Sequence, residues 1–195
     1  IPAGTFELSG IWYIFGSDVK ITGAGMWYTN LKFTNPNPFG GGISGGNGSH
    51  GPDGYCNNVE ICNLYLNSNL RSRHNQQAVY KCFMDDFKGG SVIHHVWEDH
   101  FECGFWIGDY NGKVDYSCRI RNNFADGVNF CQGTSNATVY NCSVRNNGDD
   151  GLAMWNDHTM GAVDEKNNTF AYNTIELIWR AGGIALYGGD GHKIY

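Results

Sequence analysis

Two stretches of the chain, Tyr116–Phe130 and Tyr140–Met154, overlay on each other without a gap when Tyr116 is set against Tyr140. Tyr, Cys, Arg, Asn, Asn, Asp and Gly recur at matched positions in both stretches. A repeat of roughly 20–50 residues is typical of a solenoid, in which each repeat stacks on the previous one. Regularly spaced short strands also occur in sandwiches and barrels, but those folds do not require identical turns at identical intervals. The overlay therefore predicts an all-β chain folded as a parallel β-helix.

The rest of the sequence also consists of short β-prone runs separated by Asn, Gly and Asp turns, without an amphipathic helix. The run Val92–Ile107 has the features of an earlier repeat, and Phe170–Tyr187 those of a later one, reached after an insertion of a few residues. In stacked repeats Asn123 and Asn147 are expected to form an amide ladder. The predicted strands are Thr5–Leu8, Val19–Thr22, Val59–Leu66, Val92–Trp97, Gly104–Ile107, Arg119–Arg121, Val128–Phe130, Thr138–Val144, Leu152–Trp155 and Ile184–Tyr187.

The chain of 195 residues is long enough for one domain with a real core, and we expect residues 1–195 to form a single β-helical domain. Asn35–Asp53 is rich in Gly, Pro, Asn and Ser and is expected to be a long loop. The last residues, Gly191–Tyr195, have the features of a further strand. Because the terminal repeats of a solenoid normally need a polar cap, this end predicts a segment of a longer β-helix, incomplete at its C-terminus.

Composition narrows the partners that such a chain can have. The net charge of −6 offers no basic patch to neutralise phosphates, which excludes nucleic acid. No run of about 18 apolar residues exists to span a membrane. Charged residues make up only 16% of the chain and aromatic residues 14%. A surface of this composition suits neutral, hydroxylated ligands such as sugars.

Seven cysteines form no CxxC pair and show no Cys/His spacing typical of a zinc site. Buried thiols and disulfides both remain open, because Cys118 and Cys142 lie in register one repeat apart. The histidines and acids of His94–Glu102 are crowded on adjacent residues and lack ligand geometry. We therefore predict no metal site.

The repeat places Asp126 beside Asp150, about one strand spacing of 4.8 Å away, with Asp149 adjoining. Side-chain alternation would bury both in-register aspartates if the strands began there, so we expect the strands to begin at the following glycines and the carboxylates to face a groove. Carboxylates this close repel each other, and one pKa is expected to be raised. Glycosidic hydrolysis uses one protonated and one ionised carboxyl group. A calcium site and plain Asp-Gly turn geometry are the alternatives.

Four segments resemble glycoside hydrolase family 87, which contains bacterial α-1,3-glucanases and mycodextranases: Gly23–Thr29, Trp97–Ile107, Ala125–Gly127 and Gly148–Gly151. The resemblance implies a right-handed parallel β-helix (a solenoid) and a protein secreted from the cell. It also implies an inverting endo-hydrolase of α-glucan, with α-1,3-glucosidic bonds as the expected target.

The family's three essential aspartates correspond to Asp126, Asp149 and Asp150. By analogy with other inverting β-helical enzymes, Asp149 is expected to be the general acid, and the other two to hold and deprotonate the attacking water. An inverting acid and base stand roughly 6.5–9.5 Å apart. In-register neighbours would be closer than that, which suits shared water activation, so Asp149 is expected to stand apart. Arg121 or Arg145 is a candidate for positioning the aspartates.

Aromatic and polar residues around the acids are candidates for binding the sugar. Flat aromatic side chains offer apolar faces to pyranose C–H groups, although core packing explains each of them equally well. Trp155 is favoured because it alternates outward from Leu152 and Met154. The candidate substrate-binding residues are Trp155, Trp106, Tyr110, Trp179, Asn156, Asp157 and His158.

The expected partner is an α-glucan polysaccharide, bound by a monomer or by part of a larger multidomain chain. No cofactor is expected for catalysis, and Ca²⁺ is considered only as a structural ion. Polygalacturonases of family 28 share the Asp…Asp-Asp pattern, but no Gly-His-Gly or Arg-Ile-Lys segment follows here, and Arg180 is the only nearby cation expected to meet a uronate. A non-catalytic glycan-binding β-helix is another alternative. A polysaccharide lyase needs a basic residue, and no Lys adjoins the acids in sequence.

Overall fold

The computed structural model describes residues 1–35, 37, 40–46, 56–73, 80–85, 87–108, 112–160 and 163–195. These residues form 21 β-strands and one short 3₁₀ helix, His158–Met160. The strands, numbered in chain order, are β1 Gly4–Leu8, β2 Trp12–Ile14, β3 Lys20–Thr22, β4 Thr29–Phe33, β5 Gly41–Gly45, β6 Cys56–Asn57, β7 Glu60–Ser68, β8 Tyr80–Asp85, β9 Phe87–Lys88, β10 Val92–Asp99, β11 Phe105–Gly108, β12 Val114–Tyr116, β13 Arg119–Arg121, β14 Val128–Cys131, β15 Thr138–Tyr140, β16 Ser143–Arg145, β17 Leu152–Trp155, β18 Thr169–Ala171, β19 Thr174–Glu176, β20 Ile184–Tyr187 and β21 Lys193–Ile194.

Nearly all of the strands belong to two sheets of parallel strands. Twelve of the described strands form the first sheet, in which β1, β4, β7, β10, β12, β15, β18 and β21 follow one another and β3, β13, β16 and β19 pair alongside. Seven form the second sheet, in the order β2-β5-β8-β11-β14-β17-β20. In both sheets a strand pairs with its counterparts from neighbouring repeats. The predicted all-β chain of parallel strands is confirmed.

The strands pair in the register that the sequence overlay predicts. Strand β14 pairs with β17, residue for residue, at the same 24-residue separation that joins Asp126 to Asp150. The next step, from β17 to β20, has the longer 32-residue separation of Asp150 and Gly182, because the insertion lies between them. Upstream, Phe105 of β11 pairs with Val128, which confirms the predicted earlier repeat.

The core consists of apolar side chains from both sheets, stacked in columns that run across the strands. Phe105, Val128 and Leu152 are successive members of one such column, and all three are fully buried. Parallel strands repeat the same side-chain position at each step, so large apolar groups contact each other directly. This stacking removes apolar surface from water at every repeat, which stabilises the fold by about 25 cal/mol per Å² of apolar surface buried.

A buried ladder of polar side chains accompanies the apolar columns. The backbone N–H and Nδ2 of Asn123 both donate to Asn147 Oδ1, at 3.1 and 3.0 Å. Asn123 Nδ2 also donates to Glu98 at 2.7 Å, and Asn123 Oδ1 accepts from the Phe101 backbone N–H at 3.1 Å. The predicted Asn ladder is confirmed, and it extends one repeat further, to Glu98, whose pKa burial raises.

A left-handed turn divides one strand that the sequence predicts as continuous. Asn141 has a φ of 53°, and it separates β15 from β16 within the predicted strand Thr138–Val144. Ser117 lies at the equivalent corner one repeat earlier, also with a φ of 53°. Asn is among the few residues that adopt this conformation at little cost, which explains the Asn-rich turns.

The prediction of a long loop over Asn35–Asp53 was wrong for its central part. Residues 41–45 form the buried strand β5, and residues 36, 38, 39 and 47–53 lie outside the described residues. Glycine is required there because a Cβ on Gly41 would lie 2.0 Å from the ring of Tyr80. The predicted strand within Gly191–Tyr195 is confirmed as β21.

All seven cysteines are buried thiols in this structure, so the alternative of disulfides is not realised. The backbone N–H of Cys118 lies 3.5 Å from Cys142 Sγ, as expected for residues in register. In the part of the chain that the structure describes, no helix has the length and apolar character needed to cross a membrane.

Candidate active site

The fold brings the three predicted aspartates together, and we call Asp126, Asp149 and Asp150 the acidic cluster. One carboxylate oxygen of each lies within 4.8 Å of the others. The Asp150 backbone N–H donates to Asp126 Oδ1 at 3.0 Å, which ties the two repeats together at this point. The prediction that the repeat makes distant acids neighbours is confirmed.

The aspartates occupy turns, and the regular strands begin at Val128 and Leu152, one residue after the glycines at which they were expected to begin. The expectation that this would keep Asp126 and Asp150 out of the interior was wrong, because both side chains are buried. The glycines between acid and strand have a packing role, since a Cβ on Gly127 would lie 2.5 Å from the carbonyl oxygen of Gly151. Stacking therefore explains the repeated glycine. It gives no reason for a carboxylate beside it.

Asp126 is 8% exposed, and its carboxylate accepts a hydrogen bond from Asn129 Nδ2 at 3.0 Å. Burial raises the pKa of Asp126 to about 6, helped by the charges of Asp149 and Asp150 and opposed by the hydrogen bond from Asn129. The expected raised pKa in the acidic cluster is thus found, and it belongs to Asp126.

Asp150 is 4% exposed and is held by two donors from the following repeat. The Gly182 backbone N–H donates to Oδ1 at 2.8 Å, and the Tyr187 hydroxyl donates to Oδ2 at 2.9 Å. Both oxygens of this carboxylate are therefore fixed in place.

Asp149 is the most exposed member of the acidic cluster, with 25% of its side chain accessible. Arg73 Nη1 lies 2.6 Å from its Oδ2, an ion pair whose angle does not make a hydrogen bond. Its nearest oxygen is within 4.8 Å of the other two carboxylates, so Asp149 does not stand apart as expected.

Two predicted aromatic residues lie next to the acidic cluster, and we call Trp106 and Trp155 the aromatic face. Both alternate with buried residues on strands of the second sheet, and their ring centroids are 5.6 Å apart. Trp106 pairs in register with Asn129, which contacts Asp126. Trp155 pairs with Tyr187, which contacts Asp150. The aromatic face and the acidic cluster are therefore continuous.

The three polar candidates after Trp155 bond mostly to their own loop. Asn156 Oδ1 accepts from the Glu165 backbone N–H at 3.1 Å. Asp157 Oδ1 accepts from the Thr159 backbone N–H and hydroxyl, at 2.8 and 2.6 Å. The exposed His158 ring lies 3.3 Å from Asp164. These contacts shape the loop that flanks the aromatic face.

Trp179 lies on another side of the acidic cluster and is 63% exposed. It borders a depression of about 330 Å³ together with His100, Phe124 and Asn146. A Cβ on Gly148 would lie 2.8 Å from its ring, which places Trp179 against the turn that carries Asp149. Tyr110, the remaining aromatic candidate, lies outside the described residues.

The arginines suggested to position the aspartates are engaged elsewhere. Arg121 donates to the Ser143 hydroxyl at 2.9 Å, and Arg145 lies 3.7 Å from Glu176. The prediction that Arg180 is the only nearby cation was also wrong. Arg73 contacts Asp149, and Lys81 Nζ lies 4.1 Å above the Trp106 ring.

Sequence reasoning missed several residues of the site. Tyr187 could have been predicted from the repeat, since it is in register with Trp155 and on the same face of the sheet. Asn129 could also have been predicted, because it is the first outward residue after Val128. Arg73 carries no signal, because it belongs to an irregular segment outside the repeat.

The fold and site together define a class of protein. Parallel β-sheets present clustered carboxylates with different surroundings, beside the partly exposed rings of the aromatic face. Carboxyl groups that lie this close but differ in burial and in hydrogen-bond partners can divide between them the acid and base roles that glycoside hydrolysis needs.

Comparison with known proteins gives the family. The model of the α-1,3-glucanase catalytic domain D2 matches residues 1–195, and the chain therefore belongs to this family. No match is found among curated proteins.

Solved structures of related chains agree. The catalytic domain of Agl-KA is 52% identical over 99% of this chain and 34% of that chain, with a TM-score of 0.90. A family 87 α-1,3-glucanase catalytic domain in complex with nigerose is 26% identical over 98% of this chain and 32% of that one, with a TM-score of 0.76. The catalytic unit of a thermostable family 87 α-1,3-glucanase from Streptomyces thermodiastaticus is 25% identical over 100% of this chain and 33% of that chain, with a TM-score of 0.71. This chain thus spans about a third of the length of these relatives.

Proposed function

We propose that the protein containing this chain hydrolyses α-1,3-glucosidic bonds of an α-glucan, and that the acidic cluster is its catalytic centre. The observation that carries the proposal is the meeting of three carboxylates within 4.8 Å beside the aromatic face. A family 87 glucanase solved with nigerose supports the choice of glucan.

The spacing of the acids adds support. Variants of a family 87 glucanase with single Asp-to-Ala substitutions have been solved with nigerose or tetrasaccharides. The substituted positions are two adjacent residues and a third that lies earlier in the chain. The interval between the third position and the adjacent pair equals the interval between Asp126 and the pair Asp149 and Asp150.

In the mechanism that we propose, Asp126 and Asp150 hold and deprotonate the attacking water, and Asp149 protonates the glycosidic oxygen. Asp126 and Asp150 are in register and linked by the Asp150 backbone N–H, so a water can contact both carboxylates. The pKa of about 6 makes Asp126 a stronger base than an ordinary aspartate. Asp149 is the most accessible of the three, which suits the group that meets the leaving oxygen.

We propose that hydrolysis inverts the anomeric carbon, as the family resemblance implies. The separation of the nearest oxygens is shorter than the roughly 6.5–9.5 Å of an inverting pair. Asp149 can increase its separation on leaving Arg73, because its side chain is accessible. NMR of the first product formed tests this step: a β-anomer from an α-linked glucan is expected, and net retention would remove the assignment.

Trp155 and Trp106 are proposed as sugar platforms on one side of the acidic cluster, and Trp179 on another. The loop of Asn156, Asp157 and His158 would border the bound chain beside Trp155. We also infer that the two sheets form a right-handed parallel β-helix, since parallel crossovers are right-handed in about 98% of cases. We also propose that the protein is secreted, because a polysaccharide substrate of this kind lies outside the cell.

Reducing-sugar release from a panel of α-1,3-glucan, nigeran, dextran and polygalacturonate tests the function. We expect turnover of α-1,3-glucan by the unaltered protein. Asp149→Asn is expected to lose about 10²–10⁴-fold in turnover and to keep binding oligosaccharide. Asp18→Asn, a change at an exposed acid bonded to Asn58, is the matched control and should leave turnover unchanged.

The same panel separates the rival functions. Unsaturated products absorbing in the ultraviolet would indicate a lyase, and activity confined to polygalacturonate would indicate a uronate-specific enzyme that uses Arg73 or Lys81. Binding without turnover would indicate a glycan-binding protein. We propose that no cofactor takes part. Ca²⁺ at the acidic cluster is the alternative, because three carboxylates suit a hard cation, and loss of all turnover in a chelator would favour it.

A further inference from the structure

We infer that Glu60, Cys62 and His94 form a binding site for Zn²⁺ on the outer face of the first sheet, separate from the acidic cluster. Glu60 and Cys62 are two residues apart on β7 and so point to the same side. His94 of β10 is the register partner of Cys62. The three side chains therefore meet because of strand pairing and not because of a flexible loop.

The distances between the donor atoms fit one metal ion. Glu60 Oε1 lies 3.7 Å from Cys62 Sγ and 3.2 Å from His94 Nε2. All three donor atoms lie within 4.8 Å of one another. Zinc–ligand bonds of about 2.0–2.3 Å in a tetrahedron place the ligands roughly 3.3–3.8 Å apart. Two of the three separations are thus already close to those of a bound site.

The histidine ring is held in the orientation that a ligand needs. The Tyr116 ring stacks on the His94 ring at 4.8 Å with an interplanar angle of 1°. On the other edge, His94 Nδ1 lies 2.8 Å from His95 Nδ1. When His94 donates across this contact, its Nε2 carries the lone pair and faces Glu60 and Cys62. Zinc-binding histidines commonly fix their tautomer through such a second contact.

A positive charge already occupies the edge of this site. Lys20 Nζ lies 2.8 Å from Glu60 Oε1, and Lys20 is the register partner of Glu60 on β3. Its side chain is 60% exposed, so it can swing into solvent when a metal arrives. Lys20 therefore competes with a metal ion for the Glu60 carboxylate. Without a metal, Lys20 and Glu60 form an ordinary surface ion pair.

The donor set selects the metal. A thiolate, an imidazole and a carboxylate suit Zn²⁺, whereas Ca²⁺ and Mg²⁺ prefer oxygen ligands alone. Binding converts the Cys62 thiol to a thiolate and releases its proton to solvent. Three protein ligands leave a fourth position for water. The ion would join β7 to β10 on the surface of the sheet.

Titration of the metal-free protein with Co²⁺, followed by displacement with Zn²⁺, tests the site. We expect one Co²⁺ per chain, with a thiolate-to-cobalt charge-transfer band in the near ultraviolet. Cys62→Ser should abolish that band. His95→Phe, which removes the contact that orients the ligand, should weaken Co²⁺ binding by about 10–100-fold, and His94→Gln, which removes the ligand itself, should weaken it further. Lys20→Met should strengthen binding, because it removes the competing charge from an exposed position and does not threaten folding.

His158→Gln is the matched control, because His158 forms a histidine–carboxylate contact of similar length, 3.3 Å to Asp164. It should leave Co²⁺ affinity unchanged. The site is refuted if the unaltered protein shows no thiolate band or if the band persists in Cys62→Ser. It is also refuted if Lys20→Met binds no more tightly than the unaltered protein. None of these outcomes depends on glucan hydrolysis.

Discussion

Three identical carboxylic side chains in the acidic cluster have three different surroundings. Asp126 is buried and has one amide donor, Asp150 is fixed by a backbone N–H and a hydroxyl, and Asp149 is accessible and faces an arginine. Such differences are what divide acid and base roles among residues of one type. The division depends on neighbours that the repeat alone does not specify.

Asn129→Ala is expected to move the pH dependence of turnover. Asn129 Nδ2 donates to Asp126 and lowers its pKa, so losing this donor should raise the pKa of Asp126 above about 6. A base must be ionised, and turnover should therefore rise with pH through this value. We expect the acid limb of the kcat/KM profile to shift upward by about 1 pH unit, the worth of one hydrogen bond to a charged group.

The control for this measurement is Asn141→Gly, which removes an exposed amide bonded to Ser117 and remote from Asp126, and which keeps the left-handed backbone conformation at this position. Its profile should coincide with that of the unaltered protein. A profile of Asn129→Ala that keeps the original acid limb would show that Asp126 is not the base.

Glu165 predicts a pH-dependent stability that has no connection with catalysis. Its carboxyl group is buried, has no hydrogen-bond partner among the described residues, and burial raises its pKa from 4.5 to about 8. Between these values the folded chain holds a proton that the unfolded chain has released, so the free energy of unfolding should fall as pH rises. The loss amounts to about 5 kcal/mol at most.

Glu165→Gln should remove this pH dependence and make the protein more stable than the unaltered one at pH 8 and above. Thermal unfolding at a series of pH values measures both. Parallel Tm curves for the two proteins between pH 5 and 8 would contradict the assignment.

At the scale of elements, the stack is fixed by columns of identical contacts. The apolar columns and the Asn ladder both follow from parallel pairing of each repeat with the next. A buried amide that serves several backbone and side-chain partners leaves each of them unsatisfied when it is removed, which costs about 1–3 kcal/mol.

Asn147→Ala should therefore lower the free energy of unfolding by about 1–3 kcal/mol, since it removes the acceptor of the Asn123 backbone N–H and one of the two acceptors of the Asn123 side-chain amide. The neighbouring residue supplies the control. Asn146 is exposed, bonds to Asn122 and has a φ of 58°, a conformation that Gly also adopts, so Asn146→Gly should cost less than about 1 kcal/mol. Denaturant unfolding of the two variants measures the difference. Equal losses would show that the ladder adds nothing.

The sequence predicted strands that recur in the overlaid repeats and missed features that depend on local contacts or backbone conformation. Leu152–Trp155 was predicted because its counterpart lies one repeat earlier and alternates in the same way. Gly41–Gly45 was missed because its glycines make room for Tyr80, a contact between segments that composition does not show. The split at Asn141 was missed because a left-handed residue between two strands leaves the apolar pattern intact.

The repeat also predicted some residues of the site and missed others. Asp126 and Asp150 were placed side by side from the repeat alone. Arg73 contacts Asp149 from an irregular segment, and its position could not be predicted because it is not part of the repeat. The closeness of Asp149 to its neighbours was also missed, because the overlay fixes register along a strand and not side-chain direction in a turn.

At the scale of the whole molecule, the acidic cluster lies between aromatic groups on different sides. Trp106 and Trp155 are continuous with it through Asn129 and Tyr187, and Trp179 packs against the turn of Asp149. This layout suits a polymer that extends past the point of cleavage in both directions. The chain also spans about a third of the length of its solved relatives.

The turnover of α-1,3-glucan by Asp126→Asn, Asp149→Asn and the double variant tests the central claim most directly. If the acidic cluster acts as one catalytic unit, each single change lowers kcat by about 10²–10⁴-fold, and the double change adds little, because residues of one unit are strongly non-additive. Single variants that keep more than about a tenth of the turnover, or losses that multiply in the double variant, would contradict it.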